Sequence, residues 1–102
     1  MVYNKLVRDK IPAIIEENGQ IPKTRILTDG EYTAALEQKL DEEVGEFHKD
    51  RNLEELADIL EVVYALAEDL GHSKDALMDV YRHKHEQRGG SRDRIFLISN
   101  DG

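Results

Sequence analysis

Between residues 29 and 70 the apolar positions recur at helical spacing. Tyr32, Leu36, Leu40, Val44 and Phe47 fall along one side of a helix, and Ile59, Val62 and Leu66 fall along one side of another. This periodicity predicts a long helix from a cap at Asp29 to about Asp50, then a tight turn at Asp50-Arg51-Asn52. Asn52 followed by Glu55 resembles a capping box, and it opens a second helix that ends at Leu70-Gly71. Ser73 caps a further helix that carries Leu77, Val80 and Tyr81 and stops at Gly89-Gly90. A shorter helix is expected near the N-terminus in "RDKIPAIIEENG", with Asp9 as cap, Pro12 in the first turn and Asn18-Gly19 as the stop. The remaining apolar stretches, residues 23–28 and 94–99, are short and β-branched, and are expected to be extended and to pair as a small two-stranded β element. The fold class is therefore mainly α: an antiparallel helical hairpin plus a third helix. Residues 1–102 form a single domain.

Within that pattern the carboxylates have a definite geometry. Glu43 and Glu46 are one helical turn apart, as are Glu55 and Asp58. Helices joined by so short a turn run antiparallel, which sets Glu46 level with Glu55 and Glu43 level with Asp58. A helical wheel puts Glu43 inside the apolar arc of the first long helix and Glu46 at its edge, while Glu55 and Asp58 flank the apolar line of the second. Asp41 and Glu42 project elsewhere, as plain solvent-facing acids. A charge within an apolar stripe is costly unless it is paired or bound to metal. Two readings follow. Glu55 can serve only as a capping acid and Glu46 only as a partner of Lys39 or Lys49, which is the ordinary solvated face of an acidic helix. Taken together, the four acids make a candidate metal site, and an all-oxygen donor set suits Mg²⁺ or Mn²⁺ rather than zinc.

Charge and composition narrow the chemistry. The formal net charge is −8, which argues against general nucleic-acid binding. Cysteine is absent, which excludes disulfides, thiolate metal sites and thiol catalysis. No apolar run is long enough to span a membrane and no secretory signal is present, so a cytoplasmic protein with no membrane partner is expected. The one basic region is residues 82–94, where Lys84 and Arg88 continue the stripe of Leu77 and Tyr81 and are expected to point inward. Bases in a last helical turn also simply favour the helix dipole. Lys5 and Arg8 add cations near the N-terminus. Acids beside bases suit a phosphate ligand carried by Mg²⁺, and with no Gly-rich phosphate loop and no nucleophile triad, attack by water is the simplest chemistry. The open apolar faces of a chain this small predict a homodimer or higher homo-oligomer.

"EEVGE" followed by "ELAD", together with "YNKLVRDKIP", "ELADILEVVYAL" and "KHEQRGG", resembles the all-α nucleoside triphosphate pyrophosphohydrolase superfamily. These are the MazG-like proteins, which include the phosphoribosyl-ATP pyrophosphohydrolases, and the resemblance is nearest to a small house-cleaning branch. It covers nearly the whole chain. The resemblance implies that Glu43, Glu46, Glu55 and Asp58 bind Mg²⁺, and that Lys84 and Arg88, with Lys5 and Arg8, contact phosphates. It also implies that water, oriented or deprotonated by Glu43 or Glu46, attacks the α-phosphorus of a nucleoside triphosphate substrate to give a monophosphate and pyrophosphate. Ser91 stands where that branch often has an aromatic after Arg-Gly-Gly, and the stretch from Glu46 to Glu55 is shorter than in the longer MazG proteins. A phosphoribosyl-ATP pyrophosphohydrolase and a non-enzymatic helical nucleotide- or protein-binding module are the alternatives.

Overall fold

In the computed structural model, which describes residues 1–102, Thr28 starts the first long helix. Its hydroxyl accepts from the Glu31 backbone N–H, and the Glu31 carboxylate accepts from the Thr28 backbone N–H, a complete capping box. The cap is therefore one residue earlier than expected, at Thr28 rather than Asp29, because only that hydroxyl reaches the third residue of the helix. The Arg25 guanidinium grips the same carboxylate with two bonds of 3.0 and 2.9 Å, which ties the preceding extended segment to the helix start.

Four helices result: α1 (Ile11–Glu17), α2 (Asp29–Asp50), α3 (Leu53–Asp69) and α4 (Lys74–Arg88). Arg51 closes α2 in the left-handed conformation and Asn52 caps α3 by accepting from the Glu55 N–H, so the α2–α3 turn is as tight as its sequence suggests. Gly71, at φ +90°, reverses the chain into α4, which Ser73 caps. The start of α1 differs from expectation. Lys10, not Asp9, precedes it, and no side chain caps it; Pro12 alone preorganises this first turn.

The centre of the structure is the α2/α3 hairpin. Leu36 from α2 and Val62 and Ala67 from α3 are buried, and the other positions of both predicted stripes are at least half-buried. At its open end Thr33 donates to the Asp69 carboxylate at 2.7 Å, the register that also sets Glu46 level with Glu55. α4 packs on α3 only, and α1 packs on no other helix. The contact between α3 and α4 lies near their turn, where the Lys74 ammonium sits 4.3 Å above the Tyr64 ring and Ala76, Leu77 and Met78 are half-buried. From Asp79 onward every residue of α4 is exposed.

The expected β pairing is absent. Residues 23–28 and 94–99 form no strand and share no backbone hydrogen bond, and Ile26 and Ile95–Ile98 stand in solvent. A two-stranded ladder with no element covering its apolar face is too weak to hold. No helix is long and apolar enough to cross a membrane.

Glu31 is held at about 2, against an ordinary 4.5, first by its hydrogen bonds from Arg25 and then by those from Thr28. A lowered carboxyl pKa stabilises the fold fully above the ordinary value and loses that contribution as pH falls from about 4.5 to about 2. Glu31→Gln is therefore expected to lower the melting temperature at pH 7, with the gap from wild type closing as melts are repeated toward pH 2. A gap that stays constant with pH would contradict this.

Candidate metal centre

The α2/α3 seam brings carboxylates together as the wheel suggests. Glu43, Glu55 and Asp58 present oxygens that all lie within 4.8 Å of one another. Glu43 is 9% exposed and is the one buried charged residue. A carboxylate is tolerated there because Lys39, one turn earlier and largely covered itself, reaches its Oε1 at 3.2 Å. Glu46 lies further toward solvent and joins a second group, with Asp50 and Glu55, within the same 4.8 Å limit. Glu55 belongs to both groups and so links the four predicted ligands.

The sequence pattern missed Asp50. It sits one turn beyond Glu46 in the last turn of α2, and that spacing was the available signal. Glu42 also departs from expectation. It is half-buried, accepts from Lys5 at 3.4 Å and pairs with the Lys39 ammonium at 3.7 Å, so it is not a plain solvent-facing acid. Glu46 forms no ion pair with Lys39 or Lys49; Lys39 is taken by Glu42 and Glu43.

The predicted cations divide. Arg8 lies against the centre, 3.7 Å from Asp58 and 3.6 Å from Glu61, and Lys5 lies beside Glu42. Lys84 and Arg88 do not point inward. Both are exposed, neither is ion-paired, and α4 does not touch α2. The stripe that begins at Leu77 leads away from the hairpin because α4 leaves α3 after Met78. These two side chains instead line an open hollow of about 840 Å³ at the end of α4.

The chemistry of the acid group fits a hard divalent cation. Its donors are all carboxylate oxygens, drawn from two facing helices, with no histidine or cysteine among them. Burial pushes the Glu55 carboxyl up, and Asp58, Asp50, Glu46 and Glu43 raise it further. Glu55 itself has no cationic partner, whereas Glu43 and Asp58 have Lys39 and Arg8.

The chain is 36% identical over 87 residues to an uncharacterized protein of Mycolicibacterium smegmatis (strain ATCC 700084 / mc(2)155), a match that covers 85% of this chain and 67% of that one. The two proteins belong to one family. No family model matches the chain, and no solved structure matches it.

A raised carboxyl pKa costs stability once pH exceeds the ordinary value, because the folded chain then holds a charge it disfavours. In chelator-treated protein, Glu55→Gln is expected to raise the melting temperature at pH 7 and to bring no gain at pH 4, where Glu55 is protonated. The Asn52 cap survives the change, since it uses the backbone N–H of residue 55. A lower melting temperature at pH 7 would show that the crowding is already relieved within the chain.

Proposed function

We propose that the protein is a Mg²⁺-dependent nucleoside triphosphate pyrophosphohydrolase that cleaves between the α- and β-phosphates and clears modified nucleotides. The observation that carries this reading is the meeting of Glu43, Glu55 and Asp58 across the α2/α3 seam, with Glu43 in a buried position. Lys39 offsets the charge of Glu43 alone, and a divalent cation would offset the three carboxylates together.

Glu43, Glu46, Glu55 and Asp58 hold Mg²⁺, or Mn²⁺ in its place. The ion, when bound, neutralises phosphate oxygens and lowers the pKa of water. The water oxygen bonds to the α-phosphorus as the bond from that phosphorus to the bridging oxygen breaks, and pyrophosphate leaves. Glu46 takes the water proton, because it is exposed and free of any ion pair, whereas Glu43 is already engaged by Lys39. Arg8 and Lys5, lying against the acids, neutralise the phosphates there; Lys84 and Arg88 line a separate hollow on α4 and offer further phosphate contacts on that side.

A homodimer completes this reading. The chain's radius of gyration is 17.9 Å, against about 13 Å for a compact domain of this size. Leu53, Leu56 and Leu60 form a second, exposed apolar stripe on α3. Both features suit a subunit whose core is finished by another copy.

One observation favours a second reading. Arg8 and Lys39 already give Asp58 and Glu43 internal partners, as a scaffold that binds a nucleotide or protein without turnover would need. The phosphoribosyl-ATP reading shares the hydrolytic chemistry and differs only in substrate.

Ordinary and modified nucleoside triphosphates, with phosphoribosyl-ATP included, are expected to yield monophosphate and pyrophosphate only when Mg²⁺ is present. Glu43→Gln should cut that rate by about 10²-fold or more. No turnover across the panel, with no rise of the melting temperature in Mg²⁺, would favour the binding module. Sedimentation at micromolar concentration should give a dimer, and a monomer would overturn that part of the proposal.

A further inference from the structure

The last two turns of α4 carry a pair of rings that the acid centre does not use. Tyr81, Lys84, His85 and Arg88 share one face of the helix by their spacing, and all four line the hollow at its end. The Tyr81 and His85 rings are neighbours on that face, 5.8 Å apart and tilted by 32°, and both are exposed. A Cβ on Gly90 would stand 3.2 Å from His85 Cε1, so a larger residue there would make the exposed His85 ring give by a few tenths of an ångström. Gly89, at φ +76°, directs the backbone into that position, and Arg92 then returns to line the same hollow.

Charge singles out the hollow as well. Lys84, Arg88 and Arg92 form no ion pair in a chain of net charge −8, whereas Arg82, on another side of α4, is paired with Asp79. The acids nearest in sequence, Glu86 and Asp93, do not line the hollow. Three unneutralised cations around an exposed ring pair suit a ligand that is flat and apolar at one end and polyanionic at the other.

We infer that Tyr81 and His85 form the platform on which a nucleotide base stacks, with Lys84, Arg88 and Arg92 on its phosphates. This rests on the nucleotide reading above and adds to it the residues that meet the base. Stacking on a ring tolerates many bases, because every base has a π face, so the platform fits a broad nucleotide range better than a single base.

The test is calorimetric titration in Mg²⁺ of the whole protein with α,β-methylene triphosphate analogues of the four common bases, and with inorganic tripolyphosphate. Tyr81→Ala is expected to weaken the analogues about ten-fold and to leave tripolyphosphate unchanged. Tyr81→Phe, which keeps the ring, should bind like wild type, and Arg88→Ala should weaken both kinds of ligand. Tyr81 is exposed, and unchanged helical circular dichroism will show that the variants fold. If Tyr81→Ala binds the analogues as wild type does, or weakens tripolyphosphate equally, the base platform is overturned while the nucleotide reading stands. If wild type binds none of the analogues, both fall.

Discussion

The structure depends on one seam, where α2 and α3 run antiparallel and face each other along Leu36, Val62 and Ala67. A two-residue turn fixes their register, and register alone decides which acids meet. Glu43 lies in that seam, and Lys39 makes its burial tolerable. A shift of one residue in the hairpin would carry Glu43 away from Asp58 and return the acids to separate solvated surfaces. Packing and candidate chemistry are thus set by the same contact.

Around the seam the chain is loosely assembled. α4 is anchored only near its turn, α1 packs on no helix, and the tail from Ile95 to Ile98 stands in water. A chain of this length buries too little apolar surface to fix every element by itself. The N-terminal segment is held differently, by the charges of Lys5 and Arg8 against Glu42, Asp58 and Glu61. These pairs are exposed and weak, so the segment can exchange its partners for a competing anion at little cost. The basic end of α4 has no such partners, which leaves the two groups of cations in different electrostatic states.

Much of this was legible in the sequence, for identifiable reasons. The stripes from Tyr32 to Phe47 and from Ile59 to Leu66 gave the hairpin, because helical periodicity is a local property that burial then enforces. Glu43 stood out because its position on the wheel conflicts with its charge. The caps at Asn52 and Ser73 were readable, since each needs only a side chain and a backbone N–H three residues apart. Thr28 and Asp29 both carry capping side chains, and only the backbone geometry chooses Thr28.

By itself the sequence determined the mainly helical class, the two long helices and their turn, and the set of acids able to face one another. The tertiary structure decided where α4 parts from α3, and so placed Lys84 and Arg88 in an outward hollow with Tyr81 and His85. It also decided that residues 23–28 and 94–99 stay unpaired, that Asp50 joins Glu46, and that Glu42 meets Lys5. The physical reason is range. Periodicity and capping act within a few residues and are written in the local pattern, whereas these outcomes depend on how much apolar surface distant segments find to cover.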